Sequence, residues 1–376
     1  ITNTNSYEYV ARDIINLKPD FHFKSGEANA GTGQASGSAG SGISTMFVAR
    51  IDESLIYTTD YLPSQIDINN HDASLTVGTI NGSGSVSPTG GATYNIPIEL
   101  PHGVNNLVPQ LSIVYNSQSN NGLLGWGWHL AGISTITRVS NTIYHDGFTK
   151  GINFDADSRF AIDGNRIVIA DDGKFHTEIE SFSEITYDSS NPYMSKWVIN
   201  TKNGLTYEYN YRVKANMKTL QWMVSKIMDA CGNYISFNYS PEGIPADDND
   251  IYEEAKLLSI EYGGNNGSSP CNKISFFYDE RTDKNVYYIK GFGVIQKFLL
   301  RKIKITSENV LFRKYEFKYY KTSSDLYSKL VEIKMNGSNG AFLNSTKIKW
   351  GTMFDSDINN TTLLCYPSTN YTMLSG

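Results

Sequence analysis

The sequence predicts an all-β protein: antiparallel hairpin repeats forming a curled open sheet, preceded by a small N-terminal β unit. Three observations carry this. The chain holds 25 Tyr and 17 Phe against 3 Cys and 6 His, and aromatic and β-branched side chains fit pleated, half-buried surfaces. Its 32 Gly include a series of Asn-Gly and Asp-Gly dipeptides, which reach the positive φ that tight hairpins need. In the C-terminal half, large side chains recur at every second position of short segments, which places them on one face of a strand.

Length and composition exclude several classes. The 376 residues and 41.9 kDa imply about two or three domains. Charged residues make up 19%, too few for a coiled coil or a charged disordered tail. With a net charge of −6 and no Lys/Arg block, no nucleic-acid partner is expected. No apolar run approaches the ~20 residues of a membrane span. Residues 1–9 show neither a basic start nor an apolar stretch, so no signal peptide is read there, and the abrupt start reads as that of a longer chain. Cys231, Cys271 and Cys365 are odd in number and widely spaced, which indicates neither a zinc ribbon nor a disulfide scaffold and leaves the redox compartment open.

Along the chain, residues 1–52 read as the small β unit, with strand-like runs at Asp13–Leu17 and Met46–Ile51. Between them, Ser25–Ser44 is almost all Gly, Ala and Ser. It buries too little apolar surface to offset its chain entropy and is expected to be a flexible loop, the alternative being a linker between separate bodies. Residues 53–80 form a connecting segment, and a β-rich domain follows over 81–376. There Tyr94, Ile96, Ile98 and Leu100 alternate, as do Leu111, Ile113 and Tyr115. Turns are expected at Asn121-Gly122, Asp146-Gly147, Asp163-Gly164, Asp172-Gly173, Asn203-Gly204, Gly232-Asn233 and Asn336-Gly337, with an Ile/Val-rich strand over Arg166–Ala170. Only Asp247–Leu258, acidic at its start, reads as a short helix.

The repeat occupies about residues 220–350. Ile235, Phe237 and Tyr239 are matched by Ile274, Phe276 and Tyr278, by Tyr315, Phe317 and Tyr319, and by Ile348 and Trp350. The first members of these sets lie 39, 41 and 33 residues apart, and strands centred on Ile227, Ile260, Ile303 and Ile333 precede them. One such hairpin cannot bury its apolar face alone, but stacked neighbours can. A β-sandwich with coincidental spacing is the alternative.

Chemistry-bearing patterns are sparse. Glu178 and Glu180 place two carboxylates on one face of an expected strand, a pattern also found in ADP-ribosyltransferases, but in a polar/apolar alternation a solvated strand face is the simpler reading. Asp247, Asp248, Asp250, Glu253 and Glu254 form an acidic cluster without the spacing or central Gly of a calcium loop. His22, His71, His102, His129, His145 and His176 are scattered, so no metal is expected. No nucleophile elbow or phosphate loop is present. Tyr207, Tyr209 and Tyr211 line one strand face, either as packing residues or as exposed platforms for a sugar. No catalytic residue, cofactor or enzyme activity is expected.

One stretch is more specific. Residues 86–138 contain Ser87-Pro88-Thr89-Gly90-Gly91-Ala92, Ile96-Pro97-Ile98, Pro109-Gln110-Leu111-Ser112, Tyr115-Asn116-Ser117, Gly122-Leu-Leu-Gly125-Trp126-Gly127-Trp128 and Ile136-Thr137-Arg138. They resemble the opening of the SpvB-type domain shared by the Salmonella virulence-plasmid B protein, the B component of insecticidal Tc toxins and many Rhs/YD-repeat proteins. The resemblance continues through Gly164, Gly204, Trp222, Asp229, Gly232, Asn233, Arg281 and Trp350, and covers about residues 80–352. It implies a non-enzymatic structural module of a secreted or surface protein, one part of a hollow β shell around a C-terminal effector. The implied partners are a downstream Rhs/YD-repeat region of the same polypeptide, or a companion toxin subunit, and the enclosed effector. The ADP-ribosyltransferase that follows in the Salmonella relative has no counterpart in this chain. Residues 9–51 also resemble a small β module of secreted Bacteroidetes proteins, with Asp20 where Gly is usual and Ser25–Ser44 as an atypical insertion. A surface adhesin or carbohydrate-binding module is the alternative function.

Overall fold

A computed structural model describes four strands within residues 1–51, and residues 79–350 apart from 172, 192–193, 216, 247–250, 322–324, 339 and 349. The chain divides into two units, Ile1–His71 and Asp72–Gly376. In the first, Tyr7–Ala11 runs parallel to Ile43–Ile51, which pairs antiparallel with Gln34–Ala39, and Glu27–Ala28 completes the sheet. Two of these strands lie inside the segment expected to be a flexible loop. A ladder needs only backbone N–H and C=O groups, so small side chains do not prevent pairing. The expected strand at Asp13–Leu17 lies outside the described residues.

The second unit opens with a four-stranded antiparallel sheet in the order Trp128–Ala131, Ser112–Asn116, Ala92–Pro97 and Ser83–Val86. Its alternating Ile96, Ile98, Leu111 and Ile113 are buried. Pro97 ends its strand and Pro109 lies outside one, as their missing N–H requires. A long sheet of eighteen described strands follows, from Thr135–Val139 to Thr346–Lys347. Its first half curls. Thr135–Val139 bonds to Arg159–Ile162 on one side and to Lys218–Met223 on the other, so strands distant in sequence meet. Its second half runs on as an antiparallel meander, and the whole sheet is not closed into a barrel.

The meander contains the repeat. Lys226–Met228 pairs with Tyr234–Tyr239, Leu257–Gly264 with Asn272–Ile289, Phe292–Ser307 with Val310–Tyr320, and Lys329–Asn336 with Thr346–Lys347. Ile235, Phe237, Ile274, Phe276, Tyr315 and Phe317 are all buried, as are Ile260, Ile303 and Ile333. The third aromatic of each unit does a second job. Tyr239 donates its phenol hydrogen to Val224 O (2.7 Å), Tyr278 to Leu257 O (2.6 Å) and Tyr319 to Leu300 O, while Trp350 Nε1 donates to Leu330 O (2.7 Å). In every unit the acceptor lies three residues before the central isoleucine. Leu257, Leu300 and Leu330 each sit at a register shift, opposite the preceding unit's Tyr239, Tyr278 and Tyr319. A bulge disrupts the ladder locally, and the next unit's aromatic donor then satisfies the carbonyl beside it.

Three local expectations are corrected. Asp247–Leu258 is not a helix: its described part is a strand, Ile251–Glu253, running parallel to Phe292–Ser307 and then entering Leu257–Gly264. The long strand's outer edge near residues 293–295 offers backbone partners, which outweighs the local charge pattern of a helix start. Asn121-Gly122 is a short strand against Gly125–Trp126, so that turn falls at Leu123-Leu124. In the Asn336 hairpin the positive φ belongs to Gly340, not Gly337.

Candidate functional site

The glycine–tryptophan motif ties the four-stranded sheet to the long one. Leu300 N donates to Leu123 O (3.0 Å), and Trp126 N donates to Ser328 O (2.9 Å). Gly125, at φ +88°, allows that approach, since a Cβ there would lie 2.5 Å from Ser328 O. Gly127, at φ +72°, lies against the Tyr115 ring, and its carbonyl accepts from Asn116 N (2.9 Å). The Trp126 indole stacks on Tyr327 at 4.8 Å. Trp128 is buried between Tyr94 and Tyr115, and Tyr115 meets Trp350 edge-on at 5.9 Å.

Beneath this loop lies a buried polar cluster. Between Glu280 and Asn285 the ladder with Phe292–Ser307 is broken, and the excursion carries Arg281 and Asp283 inward, with side chains 0% and 1% exposed. Arg281 Nη2 donates to Gly122 O (2.7 Å), and its Nε lies 3.8 Å from Asp283 Oδ1. Asp283 accepts from Asn121 Nδ2 (3.1 Å), Ser328 N (2.8 Å) and Ser328 Oγ (2.7 Å). Burial works against the charged form, but the Ser328 bonds and Arg281 hold the Asp283 carboxyl below its usual range. On the outer strand, Lys297 N and Phe298 N donate to Glu254 Oε1 (3.1 and 3.2 Å). Burial pushes the Glu254 carboxyl up to about 7, against those bonds and the Arg281 and Lys256 charges.

The other motif residues are architectural. Arg138 donates to Thr219 O (2.8 Å) and lies over Phe154, Phe160 and Trp222. Trp222 and Trp197 are fully buried with Phe160, Phe175 and Tyr187 packed edge-on or stacked around them. Gly164 and Gly204 take positive φ in hairpin turns. Asp229 closes the Gly232 turn by accepting from Cys231 N, Asn233 N and Asn233 Nδ2, and joins it to Asn105 Nδ2 (3.0 Å). The Asn105 bond is the leading cause that lowers its carboxyl pKa.

The candidate chemical groups do not converge. The strand carrying Phe175 ends at Thr177, so Glu178 and Glu180 follow it rather than share a strand face. They are exposed and engage different partners, His145 Nε2 at 3.0 Å from Glu178 and His176 Nδ1 at 3.5 Å from Glu180. Of the acidic cluster, Asp247, Asp248 and Asp250 lie outside the described residues, and Glu253 pairs with Lys297 at 3.1 Å. Among the described residues no three His, Cys, Asp or Glu side chains gather as a metal ion requires, and no helix is long and apolar enough to cross a membrane. The tyrosine row is not an exposed platform: Tyr209 is buried, Tyr211 stacks on Tyr239 at 4.4 Å, and Tyr207 is half-buried. Sequence reading missed Asp146, which binds Arg159 Nε (2.7 Å) and Arg166 Nη2 (2.6 Å). It also missed the capping role of Glu254. Asp283 closes the segment Phe276–Asp283 that shares the resemblance, which marked the residue but not its buried partners.

Comparison with known proteins agrees with this picture. Residues 86–149 match the family model described as Salmonella virulence plasmid 65kDa B protein. No curated protein matches. The structure resembles TcdB2-TccC3 (TM-score 0.56, 18% identity, 74% of this chain and 17% of that one) and the Photorhabdus luminescens Tc holotoxin pore (TM-score 0.58, 18% identity, 74% and 17%). It also resembles the N-terminal domain of the effector protein SpvB from Salmonella typhimurium (TM-score 0.53, 18% identity, 64% of this chain and 98% of that one). The chain thus spans about a sixth of the Tc chains it matches and nearly all of the SpvB N-terminal domain. Residues 86–149 thus carry the motif of the Salmonella virulence plasmid B protein family, and the fold of the chain is that of the SpvB N-terminal domain and of the matching part of the Tc chains.

Proposed function

We propose that this chain is a non-enzymatic wall segment of a secreted or surface toxin-related protein, part of a β shell that encloses or presents an effector. The observation that carries it is the repeating meander. Each unit buries its apolar face against its neighbours, and each capping aromatic serves the bulge of the strand before it. Such a sheet grows by adding units, and its working surface is its extent. Its partners are then the further Rhs/YD-type strands of the same polypeptide or a companion subunit, together with the effector they hold. The dispersal of Glu178 and Glu180 onto separate histidines supports a non-catalytic reading.

Electron microscopy of the natural polypeptide together with its companion subunit tests this. Residues 79–350 are expected as one wall of a hollow body containing density for an enclosed chain. A solid particle, or an NAD-consuming activity abolished by Glu180→Gln, overturns it. In isolation the chain is expected to self-associate through its last strands, and light scattering that finds only monomer at high concentration counts against an available edge.

A further inference from the structure

The curled half of the long sheet opens at one end into a cavity of about 870 Å³, within the range of small-molecule sites. Its walls are mainly aliphatic, with Ile185, Ile199 and Ile227 on the sheet side and Val108 on the covering loop. Its lining contains a single carboxylate, Asp163, and no Lys, Arg or His. Among the described residues no basic side chain pairs with that carboxylate. Asp163 is fixed rather than adaptable: it sits at φ +47° in the tight turn before Gly164, and its N–H donates to Thr135 O (3.0 Å).

Hydrogen-bond direction states what the wall lacks. Ser134 Oγ donates its one hydrogen to Asp163 Oδ2 (2.5 Å). The 2.8 Å contact between Tyr209 Oη and Ser134 Oγ is therefore donated by Tyr209. Thr135 N donates to Asp163 Oδ1 (2.8 Å). Farther round, Thr177 donates to Ser181 Oγ and Thr201 to Leu205 O. The fixed donors thus point into the protein, while the carboxylate, with about four acceptor positions, has two taken. Tyr207 stands beside it, and burial together with the Asp163 charge raises its phenol pKa. Asp163 is exposed at the edge of this cavity, and a carboxylate there, beside an aromatic ring and an aliphatic wall, is complementary to a cation with an apolar body.

We propose that this cavity binds a small apolar amine, its protonated amino group on Asp163 and its hydrocarbon part along Ile185, Ile199 and Ile227. This goes beyond the shell reading and stands or falls separately from it. The test is calorimetric titration of the whole chain at neutral pH with n-octylamine, 1-octanol and octanoate, all below their micelle-forming concentrations. Octylamine is expected to bind about tenfold more tightly than octanol, as a charge-assisted hydrogen bond allows, with octanoate weakest. Asp163→Asn is expected to lower octylamine to the level of octanol and leave octanol unchanged. Ile199→Trp, which fills the cavity, is expected to abolish binding of both while the melting curve stays cooperative. The amine-to-alcohol ratio in the unsubstituted chain needs no variant to fold. Equal binding of the two, or no binding of either, overturns the proposal, as does octylamine binding that survives Ile199→Trp.

Discussion

Between Thr135 and Met223 the long sheet turns back on itself, whereas from Lys226 to Lys347 each strand but Ile251–Glu253 lies beside the next in chain order. The curled half is built from strands of three to six residues around a one-off aromatic centre of Phe160, Tyr187, Trp197 and Trp222. The extending half uses strands up to eighteen residues long and repeats one device, a bulge capped by the next unit's aromatic. Turning a sheet requires a unique solution, because the strands that meet are far apart in sequence and only one set of side chains fits the space they enclose. Prolonging a sheet requires a rule that works equally well at every step.

If that contrast is right, damage to the centre of the curled half is costly and local. Trp222→Ala removes a fully buried indole whose Nε1 donates to Ser195 O (3.1 Å). It should cost about 3–5 kcal/mol. In urea unfolding followed by hydrogen exchange, amides of Thr135–Val139 and Arg159–Ile162 should lose protection before those of Val310–Tyr320. Equal loss in both halves would show one cooperative body and dissolve the comparison. Next in size is the joint between the sheets. Asp283→Ala strands Arg281 as a buried charge and removes both Ser328 bonds. A loss of about 3 kcal/mol is expected, and Asp283→Asn should recover part of it. A change under about 0.5 kcal/mol, the level of ordinary surface substitutions, would mean that the cluster is not desolvated.

This division also governs what the sequence could disclose. The extending half was legible because period-two aromatics on a repeating template report both strand and face, and Ile235, Phe237, Ile274 and Phe276 are buried as that pattern requires. The glycine–tryptophan motif was legible as architecture, since Gly125 and Gly127 occupy the positive-φ positions that such a motif needs. That the sheet curls was legible too, but not which strands meet, because the pairing of Ile136 with Trp222 depends on contacts that no local pattern encodes. Asp247–Leu258 misled for a related reason: its acidic start resembles a helix cap, yet Glu254 serves two amides exposed by a break in a strand over forty residues away. Asp146 was legible as a turn residue but not as an ion-pair centre, because Arg159 and Arg166 come to it only once their hairpin has formed.

That same break gives the extending half a pH dependence that runs opposite to that of the lowered Asp146 in the curled half. With the Glu254 carboxyl raised from its ordinary 4.5 to about 7, the folded state keeps a proton between those values that the unfolded chain releases. Its contribution to stability is therefore present below about pH 4.5 and is lost as pH rises towards 7. Glu254→Gln carries no such titration. The variant should gain on the parent with rising pH, by on the order of 2 kcal/mol at mildly alkaline pH. Urea midpoints for both chains across that range measure it, and a constant difference would show that the carboxylate is solvated.

The smallest effect probes the rule of extension itself. Tyr278→Phe and Tyr319→Phe keep the ring and delete only the hydrogen bond to Leu257 O or Leu300 O. Each should cost about 1 kcal/mol, because a carbonyl beside a bulge loses its donor. The two sites serve successive bulges and meet at Leu300, which faces Tyr278 and accepts from Tyr319, so the double variant should depart from the sum. Tyr239→Phe differs in one respect. Its acceptor, Val224 O, lies where the curled half hands over to the meander rather than at a bulge between repeats. A loss at Tyr239 equal to the other two would mean that the latch works wherever a strand needs its carbonyl capped. A larger one would make this tyrosine the clasp between the two halves, and neutral effects at Tyr278 and Tyr319 would show that water caps the carbonyls as well as a phenol does and that the repeat rests on packing alone.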